Sequence, residues 1–461
     1  MSSPLWTSAE IAVATGGQVE GPPFDVYGVS IDSRTVEPGD LFVALAGERD
    51  GHDFVEAAMA KGAGAALVSR TIRAPDIKVG DPFHALQQLG EAARERAATA
   101  RRAAVTGSVG KTSVTQAIAA ALKLAGPSHN SVKSYNNHIG VPLTLARMPR
   151  ETERAVFEIG MNHADEITPL SKMVRPHVAV VTIVGPVHVE NFPDGEAGVA
   201  RAKAEIFDGL EPGGIAILNA DDKWFELLSA AAKARGAEIR TFGRGENDTA
   251  RLIDFEAGEG GANVVASLHG QALRFPLAQT GAHWGPNALA TILAVEALGA
   301  PVEVALEALA GFEPLAGRGA ETRVQLPAGQ ITLIDESYNA NPISMRAALH
   351  TLGGRASARR KIAVMTDMLE LGADSAEVHA ALANAVVAAG VDRLYAAGPA
   401  MKALIDAVPA ARRGGWAATA AELAPAVVAA LADGDVVMVK GSNGSRASLV
   451  VEAIKAAGET R

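Results

Sequence analysis

Short apolar runs, each followed by a loop and then a longer stretch with helical spacing, recur along most of the chain. Residues 155–159, 178–184 and 215–219 read as buried strands, and 114–124, 195–210 and 288–298 as helices. This alternation predicts a mostly parallel sheet covered by helices. The rhythm changes at 251–277, where β-type runs and Gly-rich turns predict a small antiparallel excursion. It resumes with strands at 331–334, 362–365, 393–396 and 436–439, the pattern of a second, Rossmann-like α/β unit. At the start, Thr7-Ser8-Ala9-Glu10 has the form of a capping box opening a helix to Ala14. Residues 26–31 and 40–46 read as strands, and 83–100 as a helix leading into the next unit.

A chain of 461 residues suggests about three domains on length alone. The breaks in pattern place them at 1–83, 84–314 and 315–461: a small α/β unit, a central unit with a mostly parallel sheet, and the Rossmann-like unit. With only 4% aromatic residues, the cores must be built from Ala, Val, Leu and Ile. A net charge of −10 argues against a nucleic-acid binder acting through a general basic surface. The absence of cysteine excludes disulfides, thiolate metal sites and cysteine nucleophiles. No signal peptide is evident, and no stretch approaches ~20 uninterrupted apolar residues, so a soluble cytoplasmic protein without a membrane span is expected.

Candidate chemistry centres on Thr106-Gly107-Ser108-Val109-Gly110-Lys111-Thr112-Ser113, between a predicted strand and a predicted helix. Glycines let backbone N–H groups crowd around phosphate oxygens, and a helix N-terminus adds partial positive charge. Lys111 can then reach the β/γ-phosphates of ATP, and Thr112 can bind Mg²⁺. The usual pattern has a further glycine where this chain has Val105, so the loop is a shortened form. Glu158 lies inside an apolar strand, where a carboxylate is costly unless paired or metal-bound; a salt-bridged strand end is the alternative. His188 follows another strand end, where ligands collect in open α/β sheets, although a lone histidine also serves structural roles. Asn136 and Asn137 offer amides or simply form a turn. From spacing alone, Ser33, Arg34 and His52 fit an ordinary solvated loop better than a binding site.

Taken together, these stretches resemble the Mur ligases, the ATP-dependent amide-forming enzymes of peptidoglycan synthesis, whose phosphate loop has this shortened form. The resemblance covers nearly the whole chain. It is strengthened by Asp335 to Pro342 with Ser344-Met345, by Asp367-Met368-Leu369-Glu370-Leu371-Gly372, by Asn136-Asn137 with Ile139-Gly140-Val141-Pro142-Leu143, by Ala202-Lys203-Ala204-Glu205-Ile206-Phe207, and by Lys440-Gly441-Ser442. These blocks point to the branch that joins D-alanyl-D-alanine to UDP-N-acetylmuramoyl-tripeptide through an acyl phosphate.

The resemblance implies that the loop from Thr106 to Ser113 holds the ATP phosphates. Thr112 and Glu158 would bind one Mg²⁺ ion, and His188 a second, with Lys203 carried as a carbamate. Asn287 would lie beside adenine, Arg318 would reach the γ-phosphate, and Tyr338 and Asn341 would face the nucleotide. Lys111, His188, Lys203 and Arg318 would be the catalytic set. Ser33, Arg34, Gly47 and His52 would hold the UDP part of the substrate, and Asn136 and Asn137 would lie near its peptide. A monomer is expected. Ala282, Thr366 and His138 depart from residues the family often has. Two other readings share the loop: a sibling ligase adding a single amino acid, and a P-loop ATPase that forms no bond.

Overall fold

The computed structural model describes residues 3–72, 75–132, 135–258, 260–313 and 315–459. Ser134, which opens the Asn-containing loop, and residue 314, at the expected domain boundary, lie outside them.

The helix Ser8–Thr15 begins as its sequence predicts, with Thr7 and Glu10 forming a reciprocal capping box. A five-stranded sheet follows, in the order Gln18–Glu20, Asp76–Lys78, Ala65–Val68, Asp40–Val43, Gly28–Ser30. The single strand expected over 26–31 is divided. Asp25–Val26 pairs antiparallel with Trp6–Thr7, whereas Gly28–Ser30 joins the sheet parallel to Asp40–Val43. The break falls where the chain crosses closely over its neighbour: a Cβ on Gly28 would lie 2.1 Å from Asp40 Oδ1.

The central sheet has nine strands. Seven run parallel, in the order Ser128–Asn130, Arg154–Glu158, Arg101–Thr106, Val178–Val181, Ile215–Asn219, Glu238–Gly243, Ala250–Gly258. Gly261–Leu268 and Gln271–Leu277 add the predicted antiparallel excursion. Side-chain alternation divides the strands between two cores. Ala104, Phe157, Ala179, Val181 and Leu218 join a cluster that continues through the helix Pro82–Arg96 into the N-terminal unit. Val105, Val156, Val178, Val180 and Ile217 pack instead against the helices Lys111–Ala125, Trp284–Ala297 and Val302–Gly311.

The predicted helix over 195–210 ends early, as Glu196–Ala204, and continues as a 3₁₀ segment, Glu205–Gly209. Tertiary contacts account for this. The Glu205 carboxylate accepts hydrogen bonds from the backbone N–H groups of Asp165, Ile167 and Thr168, capping the helix Ile167–Val174. Gly209 is pressed against the Ser171 backbone, with no room for a Cβ.

The third unit is a six-stranded sheet in the order Ala320–Leu326, Gly329–Glu336, Asp435–Lys440, Arg360–Thr366, Arg393–Ala397, Arg413–Ala417. All neighbours are parallel except the first pair. The pattern of apolar runs does not reveal Ala320–Leu326, because this edge strand buries only Val324 and Leu326. Among the described residues no helix is long and apolar enough to cross a membrane.

Candidate active site

The carboxyl ends of the central parallel strands meet the third unit around a cavity of about 430 Å³. Ser108, Val109, Gly110, Lys111, Thr112 and Ser113 form one side of it. The loop's shape follows from two glycines. Gly107, at φ 145°, approaches Thr182 so closely that a Cβ would lie 2.0 Å from its hydroxyl. Gly110, at φ 87°, turns the chain into the helix Lys111–Ala125. Gly107 thus supplies the turn in the shortened loop, while Val105 stays buried in the strand. The loop is tied down by Ser108, whose N–H donates to Ile183 O (2.7 Å) and whose hydroxyl donates to Gly185 O (3.1 Å). Thr106 and Gly107 brace the loop from behind and do not line the cavity.

Lys111 donates to its own loop through Gly107 O (2.7 Å). Burial lowers its pKa, and nearby Arg318 adds to that while Glu158 opposes it. Glu158 is buried, and its backbone N–H donates to Ser131 Oγ (3.1 Å). Its Oε1 accepts from Asn136 Nδ2 (2.7 Å), whereas Oε2 is buried with no hydrogen-bond partner. A buried carboxylate oxygen without a partner is costly. A hard cation would satisfy it, so the donor set fits Mg²⁺. Among the described residues no cluster of three or more His, Asp or Glu forms a ready-made metal cage. Mg²⁺ does not require one, since it is commonly held by one or two carboxylates together with substrate phosphates.

Lys203 lies behind the cavity wall and is fully buried. Burial, reinforced by Lys111, pulls its pKa far below the usual lysine range. Its amine is therefore pushed toward the neutral form, the form that reacts with CO₂. His188 lines the cavity with its backbone in the left-handed region, φ 56°. A non-glycine residue there costs about 1–3 kcal/mol, so the surroundings must hold it. Its Nδ1 lies against the Glu370 carboxylate of the third unit, within ion-pair reach but without hydrogen-bond alignment. Burial lowers the His188 pKa, Glu370 opposes the shift, and Lys203 and Lys111 reinforce it.

The facing wall comes from the third unit. Asp335, at the end of Gly329–Glu336, accepts from Gly317 N (3.2 Å), Ser337 N (3.1 Å) and Ser337 Oγ (2.6 Å). These bonds hold the turn that presents Arg318, whose guanidinium stacks 4.1 Å from the Tyr338 ring centroid. Asn341 caps the helix Pro342–Gly353, accepting from Ser344 N (2.9 Å). Asn287 lines the cavity beside Gly110, close enough that a Cβ on that glycine would lie 3.1 Å from its Oδ1.

Other expected residues lie elsewhere. Asn137 turns away and accepts from Ile139 N (3.2 Å) and Gly140 N (2.9 Å). Ser33, Arg34, Gly47 and His52 belong to the N-terminal unit and do not line this cavity. Arg34 is exposed and paired with Asp32, and His52 bridges Asp50 Oδ1 (2.6 Å) and Ser69 N (2.9 Å). The departures are accommodated locally. Thr366 bonds Ser445 Oγ (2.6 Å) and fills the space a side chain at Gly441 would need. His138 packs edge-on against Phe83; nothing in the structure explains Ala282.

Thr182, His283, Glu336 and Lys440 also line the cavity, although sequence reasoning did not assign them to it. Thr182 and Lys440 mark strand ends, the position that identified His188. Lys440 is buried and donates to Glu336 Oε2 (3.2 Å) and Asn339 O (3.0 Å).

Comparison with known proteins covers all three units. The Mur ligase middle domain matches residues 105–295, the Mur ligase glutamate ligase domain 322–443, and the Mur ligase family catalytic domain 25–107. The UDP-N-acetylmuramoyl-tripeptide–D-alanyl-D-alanine ligase of Escherichia coli is 37% identical over 414 residues, 87% of this chain and 88% of that protein. A crystal structure of MurF from Acinetobacter baumannii superposes with a TM-score of 0.85 at 30% identity, covering 98% of this chain and 99% of that one. MurF ligase from Thermotoga maritima in complex with ADP gives a TM-score of 0.78 at 25% identity over 94% of this chain and 98% of that one.

Proposed function

The chain belongs to the Mur ligase family, and from that premise we propose that it joins D-alanyl-D-alanine to UDP-N-acetylmuramoyl-tripeptide, using ATP and releasing ADP and phosphate. The observation that carries this reading is the cavity itself: a phosphate loop and a buried carboxylate on the central unit face Arg318 on the third. Units 1–83, 84–314 and 315–461 would take the UDP part of the substrate, the nucleotide and the dipeptide side of the reaction.

The terminal carboxylate of the tripeptide attacks the γ-phosphorus of ATP, the bond from that phosphorus to the β,γ-bridging oxygen breaks, and ADP leaves as the acyl phosphate forms. Attack by the dipeptide amine then forms a tetrahedral intermediate that expels phosphate. Both partners in the first step are anionic, so charge neutralisation and alignment dominate. Lys111 and Arg318 supply positive charge from opposite walls, while the loop N–H groups and the helix start hold the phosphates. Asn136 orients Glu158, and Tyr338 orients Arg318. Thr112 and Glu158 would hold one Mg²⁺, and His188 with a carbamylated Lys203 a second; bound there, the ions neutralise phosphate charge. Ser33, Arg34, Gly47 and His52 would take the UDP moiety, and Asn287, Tyr338 and Asn341 the nucleoside. Closure of the two walls keeps water from the acyl phosphate.

One chain supplies both walls, which supports a monomer as the working unit, and the nucleotide substrates support a cytoplasmic location. The test is phosphate release with UDP-muramoyl-tripeptide, with and without D-alanyl-D-alanine, followed by product mass. The expected result is amine-dependent release and the pentapeptide product. A free amino acid outcompeting the dipeptide would indicate a sibling ligase, and ATP turnover indifferent to any amine would indicate an ATPase that forms no bond.

A further inference from the structure

The segment from Gly185 to Asn191 is anchored to its own unit, where Gly185 bonds Ser108 Oγ and Asn191 Nδ2 donates to Asn162 O (3.1 Å), and it also touches the third unit. A Cβ on Gly185 would lie 2.1 Å from Ile343 Cδ1, and one on Gly372 would lie 3.6 Å from Glu190 Cβ. Between these contacts, His188 and Glu370 face each other, both with left-handed backbones (φ 56° and φ 62°). Glu370 is half exposed and, among the described residues, caps no helix and pairs with no group of its own unit.

A metal-binding histidine ordinarily donates its other ring N–H to a carboxylate or carbonyl, which fixes the tautomer and aims the remaining lone pair at the ion. We propose that Glu370 is the positioning residue for His188, and that because it is carried on the third unit it couples domain closure to occupancy of the second metal site. A small rotation of the imidazole aligns Nδ1–H with the Glu370 carboxylate and leaves Nε2 free for the ion. With the third unit swung away, His188 loses this acceptor. Closure then raises affinity for the second ion, and by linkage the second ion favours closure by the same factor. The proposal rests on the reading of His188 as a metal ligand.

The test titrates Mn²⁺ into the full chain with the β,γ-imido analogue of ATP, counting bound ions by electron paramagnetic resonance and following the radius of gyration by small-angle X-ray scattering. His188→Ala tests the underlying reading: it should lose one ion and retain the other. If it keeps both ions unchanged, the ligand assignment fails and the proposal with it. Glu370→Ala should weaken the second ion by about 10- to 100-fold, leave the first unchanged, and reduce the compaction that Mn²⁺ induces. Glu370→Gln retains an acceptor oxygen and should recover part of the affinity. Loss of one ion in His188→Ala with both retained in Glu370→Ala would overturn the proposal. So would an equal weakening of both ions in Glu370→Ala, the mark of a merely structural role.

Discussion

On the central side of the cavity, the Lys203 amine is buried and its pKa strongly lowered, Lys111 is part-buried and donates to Gly107 O of its own loop, and Glu158 keeps a buried oxygen without a partner. On the facing wall, Asp335 is satisfied by Gly317 and Ser337, Lys440 by Glu336 and Asn339, and Asn341 by Ser344. The first wall keeps an unpartnered carboxylate oxygen and an amine held only by its own loop. On the second, the polar groups named here are already satisfied within the unit. The contrast suggests a division of labour: binding energy is held where the phosphates go, and geometry is fixed in the part that faces them.

The largest test of this contrast is Lys111→Ala. Ligation and ATP turnover should fall by at least about 10³-fold, whereas binding of the UDP-substrate should persist. Lys111 donates to Gly107 O, so its removal should cost the ligand-free protein no more than about 1 kcal/mol, the worth of one hydrogen bond. A larger loss in the melting curve of Lys111→Ala would break the contrast, and normal turnover would sink the nucleotide assignment.

Arg318→Ala, on the other wall, should lower kcat by roughly 10²-fold or more while changing nucleotide affinity less, the result expected of a group that stabilises the transferring phosphate. Arg318→Lys should not restore the rate, since a lysine lacks the planar group that stacks on Tyr338. Equal loss of affinity and rate would place Arg318 in simple nucleotide binding instead.

A smaller, reversible effect should come from Lys203. Burial and the nearby Lys111 push its amine toward the neutral form, and neutral amine is what combines with CO₂. Removing CO₂ and bicarbonate should lower activity, adding bicarbonate should restore it, and ¹³C-bicarbonate should give a carbamate resonance absent from Lys203→Ala. The sign of the pH dependence follows: acidification protonates the amine and disfavours the carbamate, so the bicarbonate requirement should sharpen as pH falls. A protein indifferent to CO₂ with no such resonance would remove the carbamate from the site.

The two walls also differed in how far they could be read from sequence. The loop from Thr106 to Ser113 and the strand that buries Glu158 announce themselves, because a glycine turn between strand and helix and a carboxylate in an apolar run are local patterns. Most of the alternating strands and helices were legible too, including the antiparallel excursion at 251–277, but the strands Ser128–Asn130, Glu238–Gly243 and Arg413–Ala417 were not. What escaped depends on partners distant in sequence. The strand over 26–31 splits because Gly28 must pass Asp40, and the 195–210 helix stops where Glu205 turns to cap a neighbour. Lys440 appears as a motif, but its place in the cavity depends on pairing with Glu336, which is over a hundred residues away in sequence. The link between His188 and Glu370 exists only when two units meet, and no local spacing encodes that.

The finest test asks whether the complete wall is purely structural. Asn341 accepts from Ser344 N as the cap of Pro342–Gly353, and it also lines the cavity. Asn341→Ala should cost about 1 kcal/mol of stability, measured by calorimetry, as a lost cap does. Asn341→Ser keeps a capping oxygen and should cost only a few tenths of that. If the amide also reaches the nucleotide, both variants should raise KM for ATP, by no more than about tenfold, the worth of one hydrogen bond. A serine variant with restored stability and raised KM would show that one side chain holds the wall together and touches the ligand as well. Restored stability with unchanged KM would confine Asn341 to the cap and leave recognition of the nucleoside to Asn287 and Tyr338.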